Sequence, residues 1–184
     1  QHHDARRQRQ MCIRDSMSTR PRITFDQEGR CNACQWSDEK KTFNWKEREE
    51  ELKKNLKKYT NASDNYKVIV PVSGGKDGSY IAHKLKSDYG VEPLCVTVRP
   101  PLETKIGQEN VYNFVSSGFS HVHVSPDEEA MAALNKYGFI EKGFPYYGWL
   151  ICIHTAVLQI AKRFNIGLIF YACLLYTSPS PRDH

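Results

Sequence analysis

Short apolar runs alternate with longer amphipathic stretches from Tyr66 onward. The apolar, largely β-branched runs predict four strands, at 67–72, 94–98, 121–125 and 167–171. Periodic apolar positions between these runs predict helices at about 78–88, 108–117, 127–137 and 148–164. Strands separated by helices are typical of right-handed βαβ units. The sequence therefore predicts an α/β fold with a parallel, Rossmann-like sheet, whose ligands bind beyond the carboxyl ends of the strands.

The residues before Tyr66 predict a small segment that precedes the α/β domain. Residues 43–59 form helices readily and place Glu about four residues ahead of Lys, which favours a solvated helix. With the polar linker 61–65 this makes a segment of 43–65, ahead of an α/β domain over 66–172. Residues 17–42 carry turn chemistry and a Cys-x-x-Cys pair, Cys31 and Cys34. That pair is half of a tetrahedral Zn²⁺ site, and a reduced pair that merely packs is the alternative.

The sequences of both chain ends indicate that these segments are not native protein sequence. Residues 6–16 and 173–183 back-translate to DNA strings that are reverse complements of each other, which is typical of a sequencing adapter read in frame. We therefore expect 1–16 and 173–184 to be adapter-derived, with native sequence from Met17 to about Ala172.

Charge and hydropathy narrow the class of protein. The formal net charge of +5 falls to +3 without the two ends, because four Arg stand against two Asp in the first and the second is neutral. This value suits small anionic ligands and makes nucleic acid an unlikely partner. No apolar run is long enough to cross a bilayer, so we expect a cytoplasmic protein without a membrane partner.

The segment between the first strand and the next helix carries the candidate chemistry. It reads Ser-Gly-Gly-Lys-Asp-Gly-Ser, from Ser73 to Ser79. Its small residues leave backbone N–H groups open at the positive end of a helix, so we expect a phosphate or pyrophosphate to bind there. Lys76 adds a cation, and Asp77 is suited to hold Mg²⁺. The spacing is not that of a Walker A loop, and an ordinary glycine-rich turn is the alternative.

This loop resembles the SGGxDS loop of the PP-loop ATP pyrophosphatases, which cleave ATP to AMP and pyrophosphate. It departs from that pattern at Gly78, where Ser is usual, and Ser79 is the nearest hydroxyl. From Ser18 to Tyr171 the chain resembles, more narrowly, the N-acetyl sugar amidotransferases of that superfamily. The matching segments are TRPRITFDQEGRCNAC, PVSGGKDGSYIAHKLK, VTVRPP, SGFSHVHVSP and GFIEKGFPYYGWL.

The resemblance implies the adenine nucleotide alpha hydrolase fold and conversion of an acetamido group on a bacterial surface-sugar precursor into an acetamidino group. ATP would adenylate the acetamido oxygen, which makes it a good leaving group, and ammonia would then displace AMP. The acceptor would be a nucleotide-linked or acidic N-acetyl sugar for lipopolysaccharide or flagellin glycan. The predicted ATP and pyrophosphate ligands are Ser73, Gly74, Gly75, Lys76, Asp77, Gly78 and Ser79, with Lys76 and Asp77 as catalytic residues.

Arg99, Lys142, Tyr146 and Tyr147 are the candidates for contacts to the sugar, although packing explains the two tyrosines equally well. No cysteine is accompanied by the His partner of a glutaminase nucleophile, so ammonia would come from a separate glutaminase subunit. Family members continue past the position of Tyr171 with a further active-site loop. We therefore expect this chain to bind ATP weakly and to form no amidine.

Two alternatives change the function. A tRNA-thiolating PP-loop enzyme would use the same loop and often carries a Cys-x-x-Cys zinc module, but the modest positive charge argues against it. The other alternative is a non-catalytic nucleotide-binding or zinc-linked module.

Overall fold

The computed structural model describes residues 23–60 and 66–172. The two predicted adapter-derived ends, 1–16 and 173–184, lie outside the described residues. So do residues 17–22, at the start of the Cys-x-x-Cys segment, and the predicted linker, 61–65. The chain divides into two compact units on either side of the Leu52–Lys53 peptide. None of the described helices combines the length and the apolar character needed to cross a membrane.

The first unit starts with a tight turn closed by Asp26. Its carboxylate accepts two backbone N–H bonds, of 3.0 and 2.8 Å, around Gly29, whose φ is 78°. Cys31 follows as the cap of helix α1, Asn32–Thr42, which the sequence analysis did not predict. Helix α2, Trp45–Thr60, confirms the predicted helix at 43–59 and contains the boundary between the units.

The second unit is built on a parallel sheet, as predicted. Strands β1 (Val68–Pro71), β2 (Pro93–Val98) and β3 (Ser120–Val124) are adjacent in that order. The fourth predicted strand forms only an isolated parallel bridge, between Ile69 and Ile169. Two hydrogen bonds hold it, from the Ile69 N–H to the Leu168 carbonyl at 2.9 Å and from the Phe170 N–H to the Ile69 carbonyl at 2.8 Å.

Helices connect the strands where the sequence analysis expects them. They are α3 (Lys76–Tyr89), α4 (Lys105–Ser116), α5 (Glu128–Lys142) and α6 (Tyr147–Arg163). The predicted start near Pro126 is confirmed, because the Asp127 carboxylate accepts from the Ala130 N–H at 2.8 Å and caps α5. This helix continues five residues beyond its predicted end at 137 and stops at Gly143, which is left-handed with φ 64°.

The core lies on both faces of the sheet. Helix α6 packs its buried residues against one face, in a cluster that contains Ile69, Leu94, Val96, Val157, Ile160, Ala161 and Ile166. Helix α3 contacts β1 and β2 and buries Ala82 and Leu85. Because successive strand residues point to opposite faces, the buried Val68, Val70 and Cys95 face away from α6. The crevice where the connections change direction therefore lies at the carboxyl end of β1, between β2 and the 168–170 segment.

Candidate functional site

The Ser73–Gly75 loop follows β1 and ends where α3 begins. Gly75 caps α3 and has no side chain with which to do so. Among residues 23–60 and 66–172, the N–H groups of the first turn therefore face the loop without a side-chain partner. Gly74 has φ +75°, and a Cβ there would lie 2.7 Å from the Val111 nitrogen and 2.9 Å from the Asn110 Cβ. Only glycine accommodates both the left-handed backbone and the contact with α4.

Gly78, where the loop departs from the SGGxDS pattern, lies at a close approach between α3 and the end of β1. A Cβ at this position would lie 3.0 Å from the Pro71 carbonyl oxygen and 3.3 Å from the Val72 Cα. Helix α3 therefore approaches the end of β1 too closely for a larger residue without a small shift of the strand. Glycine at this position lets the helix pack closely on the strand.

Lys76, Asp77 and Ser79, in the first turn of α3, differ in how firmly their side chains are held. Lys76 is 88% exposed, and its Nζ lies 3.3 Å from Asp77 Oδ1. Such a solvated pair contributes little to stability, so Lys76 can turn toward an anion at small cost. Ser79, in contrast, donates its hydroxyl to the Gly75 carbonyl at 2.8 Å. Its single proton is therefore used inside the helix, and its role as a donor to pyrophosphate stays a prediction.

A cavity of about 300 Å³ opens beside the loop at the carboxyl ends of β1 and β2. On one side Ser73, Gly75, Asp77 and Gly78 line it. The rest of the lining is apolar or aromatic and includes Val96, Val98, Trp149, Ile153, Val157 and Tyr171. The cavity thus joins the Ser73–Gly75 loop to apolar residues and two aromatic rings.

A second cavity, of about 370 Å³, lies at the carboxyl ends of β2 and β3. Prolines and polar side chains line it, including Arg99, Pro100, Pro101, Glu103, Pro126, Glu128 and Asn135. Arg99 Nη2 lies 2.5 Å from Glu128 Oε1. Arg99, which the sequence analysis proposed as a contact to the sugar, is therefore in an ion pair. Because Val98 lines the first cavity and Arg99 the second, the two cavities flank the end of β2.

The other three predicted sugar contacts line neither cavity. Tyr147 packs so closely on Gly138 that a Cβ on that glycine would overlap it, which favours the packing alternative for this tyrosine. The ring of Tyr146 lies 6.3 Å from that of Trp149, next to the first cavity. Lys142 is exposed in the last turn of α5, where a cation complements the helix dipole.

The Cys-x-x-Cys pair is buried in the first unit. Cys31 and Cys34 pack with Ile23, Phe25 and Ala33. Within residues 23–60 and 66–172, no group of three or more His, Cys, Asp and Glu side chains is arranged to hold a metal ion. The described residues therefore add no further ligands to this pair, and zinc here stays a prediction.

The sequence analysis missed the aromatic wall of the first cavity. Trp149, Ile153 and Val157 recur every four residues along α6, which places them on one helix face. That spacing was a usable signal. Tyr171 follows directly after the 168–170 segment, at the sheet edge where ligands of such folds bind, and this position was also a signal.

No protein-family model matches the chain, and no curated protein matches it in sequence. Among solved structures, it is similar to a predicted subunit of tRNA methyltransferase from Methanocaldococcus jannaschii, with TM-score 0.46 and 23% identity over 64% of this chain and 60% of that one. It is also similar to NMN synthetase from Francisella tularensis, with TM-score 0.44 and 15% identity over 68% of this chain and 53% of that one. The chain thus spans between 53% and 60% of the length of these structures.

Proposed function

We propose that the chain is the nucleotide-binding part of a PP-loop ATP pyrophosphatase. The observation that carries this proposal is the loop itself: Gly74 has a left-handed backbone, Gly75 leaves the start of α3 without a side-chain cap, and both lie at the end of a buried parallel strand. The apolar cavity on which the loop opens is the second part of a nucleotide site.

The residues present fit ATP. Backbone N–H groups at the start of α3, together with the Lys76 ammonium, would hold the β- and γ-phosphates. The wall with Trp149 and Tyr171 would receive the adenine ring, since flat aromatic rings stack favourably. Asp77 lines the same cavity and would hold Mg²⁺, which is usually bound through one or two carboxylates and the phosphates. Bound Mg²⁺ would supply positive charge as pyrophosphate leaves.

The acceptor is proposed to be an N-acetyl sugar, on the resemblance to the N-acetyl sugar amidotransferases. The cavity at Arg99 is the candidate acceptor site, because it lies across the end of β2 from the candidate nucleotide site. The acetamido oxygen would attack the α-phosphorus of ATP and release pyrophosphate. Ammonia would then displace AMP to give the acetamidino sugar, and a separate glutaminase subunit is the proposed source of ammonia.

Calorimetric titration of the 184-residue chain with ATP in the presence of Mg²⁺ tests the nucleotide site. Lys76→Ala should weaken ATP binding about tenfold or more, because it removes a charge-assisted contact. Lys67→Ala is the matched control, since it makes the same charge change at the opposite end of β1, where Lys67 is exposed. Equal binding by the wild type and Lys76→Ala would contradict the assignment of the loop.

The acceptor is tested by AMP release. Release that depends on an added N-acetyl sugar supports amidotransfer, and release that depends on tRNA supports thiolation. ATP binding without turnover in either case fits a non-catalytic nucleotide-binding module. Detection of the amidine by mass spectrometry separates sugar-dependent transfer from simple ATP hydrolysis.

A further inference from the structure

Three residues from three neighbouring parts of the sheet are joined by hydrogen bonds that end at the residue before the loop. The Thr97 hydroxyl, on β2, donates to the Val72 carbonyl oxygen at 2.8 Å. His121 Nε2, on β3, lies 2.8 Å from Thr97 Oγ1. Val72 is the residue between the end of β1 and Ser73, the first loop residue.

The direction of each bond follows from the number of protons available. A carbonyl oxygen only accepts, so the one proton of the Thr97 hydroxyl is committed to Val72. Thr97 Oγ1 must then accept from His121, which fixes a proton on Nε2 of the imidazole. An imidazolium also carries a proton on Nε2, so the bond exists in both charge states of His121.

These bonds lie at the end of β1, where they can fix the backbone that leads into the loop. The β1 ladder ends at Pro71, and the Val72 N–H makes one more backbone bond, to the Val96 carbonyl at 2.9 Å. The Thr97 hydroxyl therefore holds the carbonyl of the same residue to the same strand, β2, at the last point before the chain leaves the sheet. Thr97 is only 5% exposed, so this bond is shielded from water, and losing it would leave a buried carbonyl without that donor.

We propose that His121 and Thr97 are positioning residues for the candidate pyrophosphate loop: His121 orients the Thr97 hydroxyl, and Thr97 fixes the Val72 peptide from which Ser73, Gly74 and Gly75 extend. The inference rests on the proposed function for its role in binding, but the hydrogen bonds themselves do not. Neither Thr97 nor His121 is among the residues that line the candidate nucleotide cavity. Burial lowers the pKa of His121, and the neighbouring His123 lowers it further, which favours the neutral ring in this role.

Two measurements on the 184-residue chain test the proposal. The first is the affinity for inorganic pyrophosphate with Mg²⁺, measured by calorimetry. Thr97→Val and His121→Ala should each weaken it about fivefold to tenfold, the value of one or two lost hydrogen bonds. Thr97→Ser keeps the hydroxyl and His121→Gln keeps an N–H close to the position of Nε2, so both should bind close to wild type. His123→Ala is the matched control on the same strand.

The second measurement needs no ligand. The Val72 amide proton, bonded to Val96, should exchange with solvent about fivefold faster in Thr97→Val and His121→Ala, because one of the two bonds that hold Val72 is lost or weakened. If the wild type binds no pyrophosphate but exchange accelerates in this way, the proposed function fails and the positioning role stands. If exchange and affinity stay at wild-type values in both variants, or if His121→Gln behaves like His121→Ala, the positioning role is overturned.

Discussion

The Ser79 hydroxyl donates to the Gly75 carbonyl across one turn of α3, at 2.8 Å. Ser79 is thus tied to the residue that caps its own helix. To serve a phosphate as a donor, it would first have to give up this bond. Gly78 stands where the SGGxDS pattern has Ser, and the nearest hydroxyl is that of Ser79. The proton of this hydroxyl is already used in a hydrogen bond to the backbone.

Replacing Ser79 by Ala tests this relationship. We expect the affinity for ATP to change less than about threefold, since a hydroxyl bonded to the backbone contributes little to a ligand. Stability should stay within about 0.5 kcal/mol, because Ala is the better helix former. Ser87→Ala, near the other end of α3, is the control for the substitution itself. A loss of ATP affinity of tenfold or more in Ser79→Ala alone would show that the hydroxyl turns to the phosphate when ATP binds.

Gly74→Ala should destabilise the protein more than Gly90→Ala. Both glycines have a left-handed backbone, with φ +75° and +62°, so both variants suffer backbone strain. A Cβ at Gly90 would meet nothing within 4 Å, whereas one at Gly74 would press on the backbone of Asn110 and Val111. The difference in the free energy of unfolding should be about 1–3 kcal/mol, the usual range for overpacking. Urea denaturation of the two variants measures it, and equal losses would show that α4 can move away from the loop.

The sheet could be read from the sequence because its strands are buried on both faces. Val68, Ile69 and Val70 are all buried, as is every residue of β2, and such strands appear as continuous apolar runs. The run at 167–171 has the same local character, yet it pairs only through Ile69 and Ile169. Strand formation depends on the partner, which the local pattern does not contain.

The loop was accessible to sequence analysis because its residues are contiguous, whereas the cavity beside it was not. Trp149 Nε1 lies 3.4 Å from the Val98 carbonyl oxygen, and these residues are 51 positions apart. Thr97 and Val72 meet across 25 positions. Such contacts depend on strand order and helix placement, so they emerge only when the chain has folded. Helix α1 was missed for a different reason, because its sequence shows little separation of apolar and polar faces.

Glu128→Gln should strengthen binding of an acidic acceptor. The Arg99 guanidinium is held by Glu128, whose side chain is 82% exposed, so a carboxylate on the sugar must compete with a weak, solvated ion pair. Removing that competitor should raise the affinity for an N-acetylated uronic acid about twofold to fivefold. Glu129→Gln makes the same charge change in the same turn of α5 and is the matched control. The affinity for neutral N-acetylglucosamine should not change, and an equal gain in both variants would point to net charge instead of Arg99.

The stability of the chain should fall as the solution is acidified through the range in which histidine titrates, with His121 as one cause. Burial first, and the nearby His123 second, lower the pKa of His121 below its ordinary value of 6.5. The unfolded chain therefore binds this proton more tightly than the folded chain. Above the unfolded pKa both states are neutral at this position and the effect is absent. As the pH drops through 6.5 the unfolded state is protonated first, so the free energy of unfolding decreases until the folded-state pKa is passed.

Urea denaturation at several values between about pH 5 and pH 8 measures this slope. His121→Gln keeps an N–H for Thr97 but has no group that titrates, so its stability should depend less on pH than that of the wild type. His83→Gln removes an exposed histidine from α3 and serves as the control for the substitution itself. Identical slopes in the wild type and His121→Gln would contradict the lowered pKa of His121.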